Sequence, residues 1–214
     1  MKALFVLMIF LVFLSHSCAP VFSDMQSAKL VGKGNFETTP NFTTTSFTAD
    51  GETDHIQNHF GFQFGYGLSK NVDLRVRYEN ISVADNSGKA NAFGIGPKFS
   101  LVKDRIAAYV PIGFAFGGDV EGISNVELQP TFLFTIPVGK YVEINPSAKG
   151  IIGFESGDQF LCAFNLGLGL SSNLNKYVIR PEYGILLNPG ESGHYGQFSI
   201  GATIYILKHL PRTK

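Results

Sequence analysis

The feature that most constrains this chain is a side-chain alternation with a period of two, which recurs along most of its length. In Phe198–Ile206, apolar residues occupy every second position, and serine, glycine, threonine and tyrosine occupy the positions between them. Successive side chains of a β-strand point to opposite faces, so this pattern predicts a strand with one apolar face and one small or polar face. A composition of 20 Phe, 8 Tyr and 24 Gly with no Trp also favours strands over helices.

Ten stretches carry this alternation, and no connection between them has the pattern of a helix. They cover approximately residues 34–48, 56–68, 72–79, 93–101, 106–116, 126–136, 142–152, 160–170, 177–187 and 198–206. The connections after the even-numbered strands are short, whereas the others are mostly longer or more polar, and the longest predicted loop covers residues 117–125. An even number of antiparallel strands with short turns at one end predicts an all-β, up-and-down barrel with both termini at that end.

The closing strand carries a further signal, Ser199-x-Gly201-x-x-Ile204-x-Ile206. This order resembles the C-terminal assembly signal of bacterial outer-membrane β-barrels, although those most often end in Phe and this chain continues to Lys214. With the strand count and the loop alternation, the mature chain resembles a small outer-membrane β-barrel of about ten strands whose subfamily is not assignable. The resemblance implies an antiparallel transmembrane barrel in the bacterial outer membrane, in contact with its lipid and assembled by the barrel assembly machinery.

A water-soluble, lipocalin-like barrel is the structural alternative, because its strands alternate in the same way with the apolar face inside. The size of the apolar face separates the two. Almost every predicted strand offers four to six large apolar residues on one face, and a barrel of about eight strands is already filled by its inward side chains. A ten-strand lumen could not hold so many Phe and Leu residues, so we expect the apolar face to point outward.

The first 18 residues predict a signal peptide. Lys2 precedes the apolar run Ala3–Leu14, which is shorter than the roughly 20 residues that a membrane-spanning helix needs. The run Ser15–Cys18 resembles a bacterial lipobox, in which the cysteine is acylated, but Leu14 lies four residues before Cys18 instead of three. Acylation of Cys18 and ordinary cleavage nearby both stay open. Residues 19–31 carry little strand pattern and are expected to form a periplasmic tether or to fold under the barrel of residues 32–214.

With the apolar face outward, many charged residues are expected in the lumen. They are Glu37, Asp73, Arg75, Arg77, Glu79, Lys98, Glu127, Glu143, Lys149, Arg180 and Glu182. Buried charges are tolerated when they are paired, and the two signs nearly balance. The preferred interpretation is a network that fills the barrel, in which Arg75 and Arg77 pair with carboxylates from neighbouring or facing strands. Asp73 and Glu79 on the same strand face contribute only in part, and cross-lumen partners such as Glu127, Glu143 or Glu182 are expected to complete the pairing. A narrow polar pore for a small solute is the other interpretation.

Other function classes have weaker support. Zero formal net charge argues against nucleic-acid binding, and no cofactor or metal motif is present in the sequence. Asp54, His55, His59 and His194 fall near the predicted outer rim, where outer-membrane proteases and lipid-modifying enzymes place such groups, so a rim enzyme is the alternative. No spacing unites these four residues. The sequence therefore predicts a non-catalytic outer-membrane barrel, either structural or a narrow conduit.

Overall fold

The computed structural model describes residues 21–84, 88–154 and 160–206, in which thirteen strand segments close into a barrel. The segments are β1 (Phe36–Ala49), β2 (Glu52–Gly67), β3 (Val72–Val83), β4 (Lys89–Val102), β5 (Ile106–Tyr109), β6 (Ile112–Gly117), β7 (Val120–Leu128), β8 (Thr131–Phe134), β9 (Ile136–Val138), β10 (Val142–Gly153), β11 (Phe160–Leu170), β12 (Tyr177–Leu187) and β13 (His194–Ile206). Neighbouring segments pair antiparallel, and β1 closes the barrel by pairing with β13. The predicted all-β antiparallel barrel is confirmed. The predicted signal peptide and Cys18 lie outside the described residues.

Two of the ten predicted strands are interrupted. The fifth divides into β5 and β6 at Val110–Pro111, and the sixth divides into β7, β8 and β9 at Pro130 and Thr135. Proline has no N–H to donate to a ladder, which explains the breaks at the two prolines. Hydrogen bonds still bridge the gaps, from the Val110 N–H to the Pro97 carbonyl at 3.1 Å and from the Thr135 N–H to the Arg105 carbonyl at 2.9 Å. The barrel therefore has ten strands in the described ranges.

Two loops are shorter than the sequence indicates. The first polar loop is a two-residue turn, because Ala49 already pairs with Glu52 and both central residues, Asp50 and Gly51, have positive φ. This is the backbone geometry that two-residue hairpins need. The prediction of a long loop at residues 117–125 is wrong, because Gly117 pairs with Val120 and β7 begins at Val120. Positive φ at Gly117 and Gly118 allows this early reversal.

Burial alternates along the strands with polar residues inside. In β10 and β11 the inward positions are mostly polar or small, with Ile151 as an apolar exception, and the outward positions include Phe164, Leu166 and Leu168 with 50%, 57% and 36% of their surface exposed. Phe62 and Ile204 are also exposed on the outer face. The apolar side chains thus cover the outside of the barrel, as predicted. Within the described ranges, no helix is long and apolar enough to cross a membrane.

Residues 21–31 lie inside the barrel and almost all of them are buried. Val21 packs beside Ile81 and Ala90, near the end of the barrel at which β3 ends and β4 begins. We refer to this end as the loop end and to the opposite end as the short-turn end. Ten residues later, the Val31 N–H donates to Asp73 at the start of β3, at the short-turn end. The segment therefore threads the lumen from the loop end to the short-turn end. We refer to residues 21–31 as the plug segment.

This position corrects the expectation of a periplasmic tether for residues 21–31 of the predicted range 19–31; residues 19 and 20 lie outside the described residues. The chain reverses from the plug segment into β1 through a turn at Gly32 and Gly34, which have φ of 85° and 77°. The Gly34 N–H donates to the Gly67 carbonyl at 2.8 Å, so the turn is fastened to the end of β2. The glycines of the lumen leave space for one further length of chain, and the polar side chains there need hydrogen-bond partners. The plug segment fills the space and provides those partners.

Candidate functional site

The lumen brings together the charged residues that the sequence places there. Nine of the eleven are buried, and these are Glu37, Asp73, Arg75, Glu79, Lys98, Glu143, Lys149, Arg180 and Glu182. Arg77 and Glu127 are partly buried. Alternation alone explains this arrangement, because each of them occupies an inward position of its strand. The lumen is therefore a dense set of charges enclosed by an apolar wall.

Several of these charges pair directly. Arg75 on β3 pairs with Glu37 on β1, and Arg180 on β12 pairs with Glu143 on β10 at 3.1 Å. Arg180 also donates to the Thr203 hydroxyl at 2.9 Å. Such pairs bridge strands that are not direct neighbours, with one strand between them. Each pair provides a buried charge with an opposite charge as its partner.

The partners of the two arginines of β3 differ from the prediction. Arg77 pairs with Glu79, two residues further along its own strand, at 2.8 Å. Neither Arg75 nor Arg77 forms an ion pair with Glu127, Glu143 or Glu182 among the described residues. Cross-lumen pairing was wrong because the centre of the lumen is occupied by the plug segment. The long arginine side chain instead spans the roughly 7 Å between alternate positions on one strand face.

The plug segment is bound mainly through its main chain. Lumen side chains accept from four of its N–H groups and donate to six of its carbonyl groups. The N–H groups are those of Asp24, Met25, Ala28 and Val31. The carbonyl groups are those of Val21, Phe22, Ser23, Asp24, Ser27 and Lys29. Side chains of the wall thus supply hydrogen-bond partners to ten backbone groups of a segment that has no sheet partner.

Lys98 and Lys149 make several of the contacts to the plug segment. Lys98, which is fully buried, donates to the carbonyls of Ser27 at 2.6 Å and Lys29 at 2.9 Å. Lys149 donates to the Phe22 carbonyl at 3.2 Å and pairs with the Asp24 carboxylate at 3.0 Å. A buried ammonium group is costly unless its protons are used. The plug segment provides those acceptors.

Glu182 binds two consecutive N–H groups. Its two carboxylate oxygens each lie 2.7 Å from one backbone nitrogen, that of Asp24 or that of Met25. Met25 has φ of 48°, a left-handed conformation that is unfavourable for a residue with a Cβ. Consecutive N–H groups in such a turn form a concave anion site. The carboxylate of Glu182 compensates for the backbone strain at Met25.

Apolar contacts fix the position of the plug segment along the lumen. Phe22 packs against Ile151, Ala163 and Leu186 in the loop-end half of the barrel. Ala28 packs against Ala107, Tyr109 and Leu133 in the other half. Both residues are 1% exposed. Because one site accepts an aromatic ring and the other only a methyl group, sliding the segment by a few residues would leave a void at one site and an overlap at the other.

Glycines on the lumen face leave space for the charges. A Cβ on Gly61 would collide with the carboxylate of Glu79, one on Gly65 would meet Arg75 and Glu37, and one on Gly169 would meet Glu143. Gly61 and Gly169 pair directly with the glutamates that occupy the space above them. Long charged side chains lie flat against the wall only because their cross-strand neighbours have no side chain.

The residues of the predicted rim enzyme do not assemble into a site. His55 is exposed and its Nε2 lies 3.1 Å from the Asn58 amide oxygen, and Asp54 is exposed beside it. His194 pairs with Thr48 across β13 and β1. His59 is buried inside the barrel, and neither of its ring nitrogens has a hydrogen-bond partner among the described residues. In those ranges no hydrogen bond joins any two of the four, and no group of three metal-ligating side chains occurs.

The fold defines a class: a closed antiparallel barrel with an apolar exterior and a polar interior, the architecture of outer-membrane β-barrels. No family model matches the chain, and no curated protein matches it. Solved structures with a similar fold include an outer membrane channel from Pseudomonas putida F1, at 9% identity over 86% of this chain and 100% of that chain, with a TM-score of 0.48. Neisserial surface protein A matches at 11% identity over 80% and 99%, with a TM-score of 0.36.

The attachment invasion locus protein of Yersinia pestis, Ail, matches at 9% identity over 81% of this chain and 99% of that chain, with a TM-score of 0.36. These neighbours are bacterial outer-membrane β-barrels, and no subfamily follows from them. What each of them does is a property of that protein.

Proposed function

We propose that this protein is a non-catalytic outer-membrane β-barrel whose lumen is closed at rest by its own plug segment. The observation that carries the proposal is the binding of residues 21–31 by lumen side chains at ten main-chain N–H and carbonyl groups. A hydrated pore would leave such charges facing water. Here Lys98, Glu182 and Asp73 instead make direct hydrogen bonds to a buried backbone.

The outer surface supports a membrane location. Large apolar side chains that are at least 36% exposed occur on every one of the ten strands except the first, and include Phe60, Ile112, Phe132, Ile152, Leu166, Ile179 and Phe198. Soluble monomers rarely expose contiguous apolar patches beyond a few hundred Å². A closed barrel satisfies all its backbone hydrogen bonds between strands, so it can place this surface in hydrocarbon. Outer-membrane lipid is therefore the proposed environment, and the barrel assembly machinery is the proposed route into it.

A structural role and a conduit role predict different results when the plug segment is removed. Without it, Lys98, Lys149 and Glu182 would face an open, water-accessible lumen. We propose that the resting protein is closed and that a small-solute path exists only when the plug segment leaves. A barrel filled by its wall side chains alone would stay closed in either state.

Single-channel recording in planar bilayers tests this proposal. The wild-type protein should be silent, and a variant lacking residues 21–31 should show stepwise conductance while keeping a heat-modifiable, folded mobility in gels. If the deletion prevents folding, the full-length double variant Phe22→Ala/Met25→Ala keeps the chain length and loosens the segment, and it should open intermittently. Steady conductance of the wild-type protein would contradict the proposal, as would silence of the folded deletion variant.

A further inference from the structure

Most of the hydrogen bonds between the wall and the plug segment are made to main-chain atoms, which every polypeptide has. Gln63 donates to the Asp24 carbonyl at 3.0 Å, and Asn165 donates to the Phe22 carbonyl at 2.9 Å. The Thr135 hydroxyl accepts from the Ala28 N–H at 2.7 Å. The side-chain bonds of the segment are fewer and centre on Asp24, Ser23 and Lys29. The wall therefore recognises a main chain more than a sequence.

Selectivity in this arrangement comes from two apolar sites and from the buried Asp24 carboxylate, which is bound by Lys149 and by two further polar side chains of the wall. The aromatic site at Phe22 and the methyl-sized site at Ala28 are six residues apart. Between them, Gln26 adds little, because its side-chain oxygen is buried without a hydrogen-bond partner among the described residues. A segment with an aromatic residue followed six positions later by a small residue would satisfy both sites.

We propose, resting on the plug function above, that the lumen is a binding site for an extended polypeptide segment. It recognises the main chain and takes its register from an aromatic residue, an acidic residue two positions later and a small residue six positions after the aromatic one. Residues 21–31 are the ligand in cis, held at the high effective concentration that a covalent connection gives. A second polypeptide of this pattern can occupy the same site when the covalent segment is absent or cut loose.

The test cuts the plug segment from the barrel by proteolysis after the barrel has assembled, so that the segment becomes a separate ligand. Lys33 is exposed in the turn between the plug segment and β1, so a specific protease site inserted after Lys33 can be cut without touching the lumen. The cut fragment should stay bound through gel filtration in mild detergent. It should then exchange with a fluorescent synthetic peptide of residues 21–31, Val-Phe-Ser-Asp-Met-Gln-Ser-Ala-Lys-Leu-Val, in a saturable manner.

Two peptide variants measure the register. The Ala28→Leu peptide should bind roughly 10- to 100-fold more weakly, since it overfills the site beside Tyr109 and Leu133. The Gln26→Ala peptide is the matched control and should bind like the native peptide. Equal binding of the Ala28→Leu and native peptides would overturn the proposal, because it would indicate non-specific adsorption.

The remaining outcomes separate this inference from the proposed function. If the fragment is lost, the cut barrel conducts and no peptide rebinds, the plug function stands and the peptide site is rejected. If the fragment never exchanges, it is a permanent part of the fold and the peptide site is also rejected. If the fragment is lost and the empty barrel stays silent, both proposals fail.

Discussion

Gly96 lies at the most crowded inward position of β4. A Cβ added there would overlap Pro111 and the Val110 carbonyl, where the strand made of β5 and β6 is interrupted and its backbone comes close to β4. The obstacle is backbone, which cannot rotate away. The irregular strand and the glycine thus depend on each other, and neither feature is explained by alternation alone.

We therefore expect Gly96→Ala to destabilise the folded barrel by about 1–3 kcal/mol, the usual cost of overpacking. Gly94→Ala is the matched control, since Gly94 also faces inward from β4 and a Cβ there would meet nothing closer than 3.8 Å. Urea unfolding in detergent, followed by gel mobility, measures both. Equal stability of the two variants would show that the crowding at Gly96 relaxes without cost.

Arg77 is the second informative residue, because it connects the wall to the plug segment. It pairs with Glu79, which is fully buried, and donates to the carbonyl and the hydroxyl of Ser23. Arg77→Ala leaves the Glu79 charge without its partner, and removing one member of a buried pair typically costs about 3–5 kcal/mol. We expect lower stability in urea together with increased conductance as the loop-end part of the segment loosens.

The double variant Arg77→Ala/Glu79→Gln separates the two effects of this change. It removes the stranded charge, so it should recover much of the lost stability while still lacking the bonds to Ser23. Stability that is unchanged in the single variant, with altered ion selectivity, would instead indicate hydrated charges in an open pore.

At the scale of elements, the strands could be predicted and the plug segment could not. Wall strands must place apolar residues outside and polar residues inside, which forces a period of two into the sequence. The plug segment has no such requirement, because most of its hydrogen bonds to the wall are made by its main-chain atoms. Its two apolar contact sites, at Phe22 and Ala28, are six residues apart. Binding through the backbone leaves almost no periodic signal in a sequence.

The charge network shows the same limit. Alternation places Arg75, Arg77 and Glu143 in the lumen, but their partners depend on the relative heights of strands around the barrel. Those heights are set by the stagger between strands, which short-range patterns do not contain. The pairing of Arg180 with Glu143, across two strand boundaries, requires the closed structure. Polar wall residues such as Asn165, which contacts Phe22 and Asp24, were missed for the same reason.

At the scale of the whole molecule, the depth of an outward residue should govern the cost of a charge. Leu166 lies near the middle of β11 and is 57% exposed, whereas Leu170 ends the strand at the short-turn end. For a barrel in a bilayer, Leu166→Arg should cost about 2–4 kcal/mol and Leu170→Arg about 0–1 kcal/mol. Leu168→Arg should fall between them.

Folding into lipid vesicles, followed by heat-modifiable gel mobility, measures this depth series. The gradient is the informative part, because a water-soluble barrel would tolerate an exposed arginine equally well at all three positions. Normal assembly of the Leu166→Arg variant would reject the lipid-facing orientation.

The direction of the plug segment also leads to a prediction for the start of the mature chain. Val21 is at the loop end of the barrel, beside Ile81 and Ala90, and the loop end of an outer-membrane barrel faces the cell exterior. The three peptide units between Cys18 and Val21 reach at most about 11 Å. We therefore expect an acyl group on Cys18 to lie near the outer mouth, although β1 begins at the opposite end.

We predict that the mature chain starts at Cys18, carries acyl groups and has this start at the cell surface. Intact mass of the purified protein should show a chain from Cys18 with added acyl mass; an unmodified start at a later residue would remove the lipid anchor and leave the barrel unaffected.

In a Cys162→Ala background, a membrane-impermeant maleimide should label Pro20→Cys on intact cells. The matched Lys33→Cys variant, at the short-turn end, should be labelled only after the outer membrane is permeabilised, because the plug segment spans the lumen between the two positions. Labelling of both variants only after permeabilisation would contradict the threading direction.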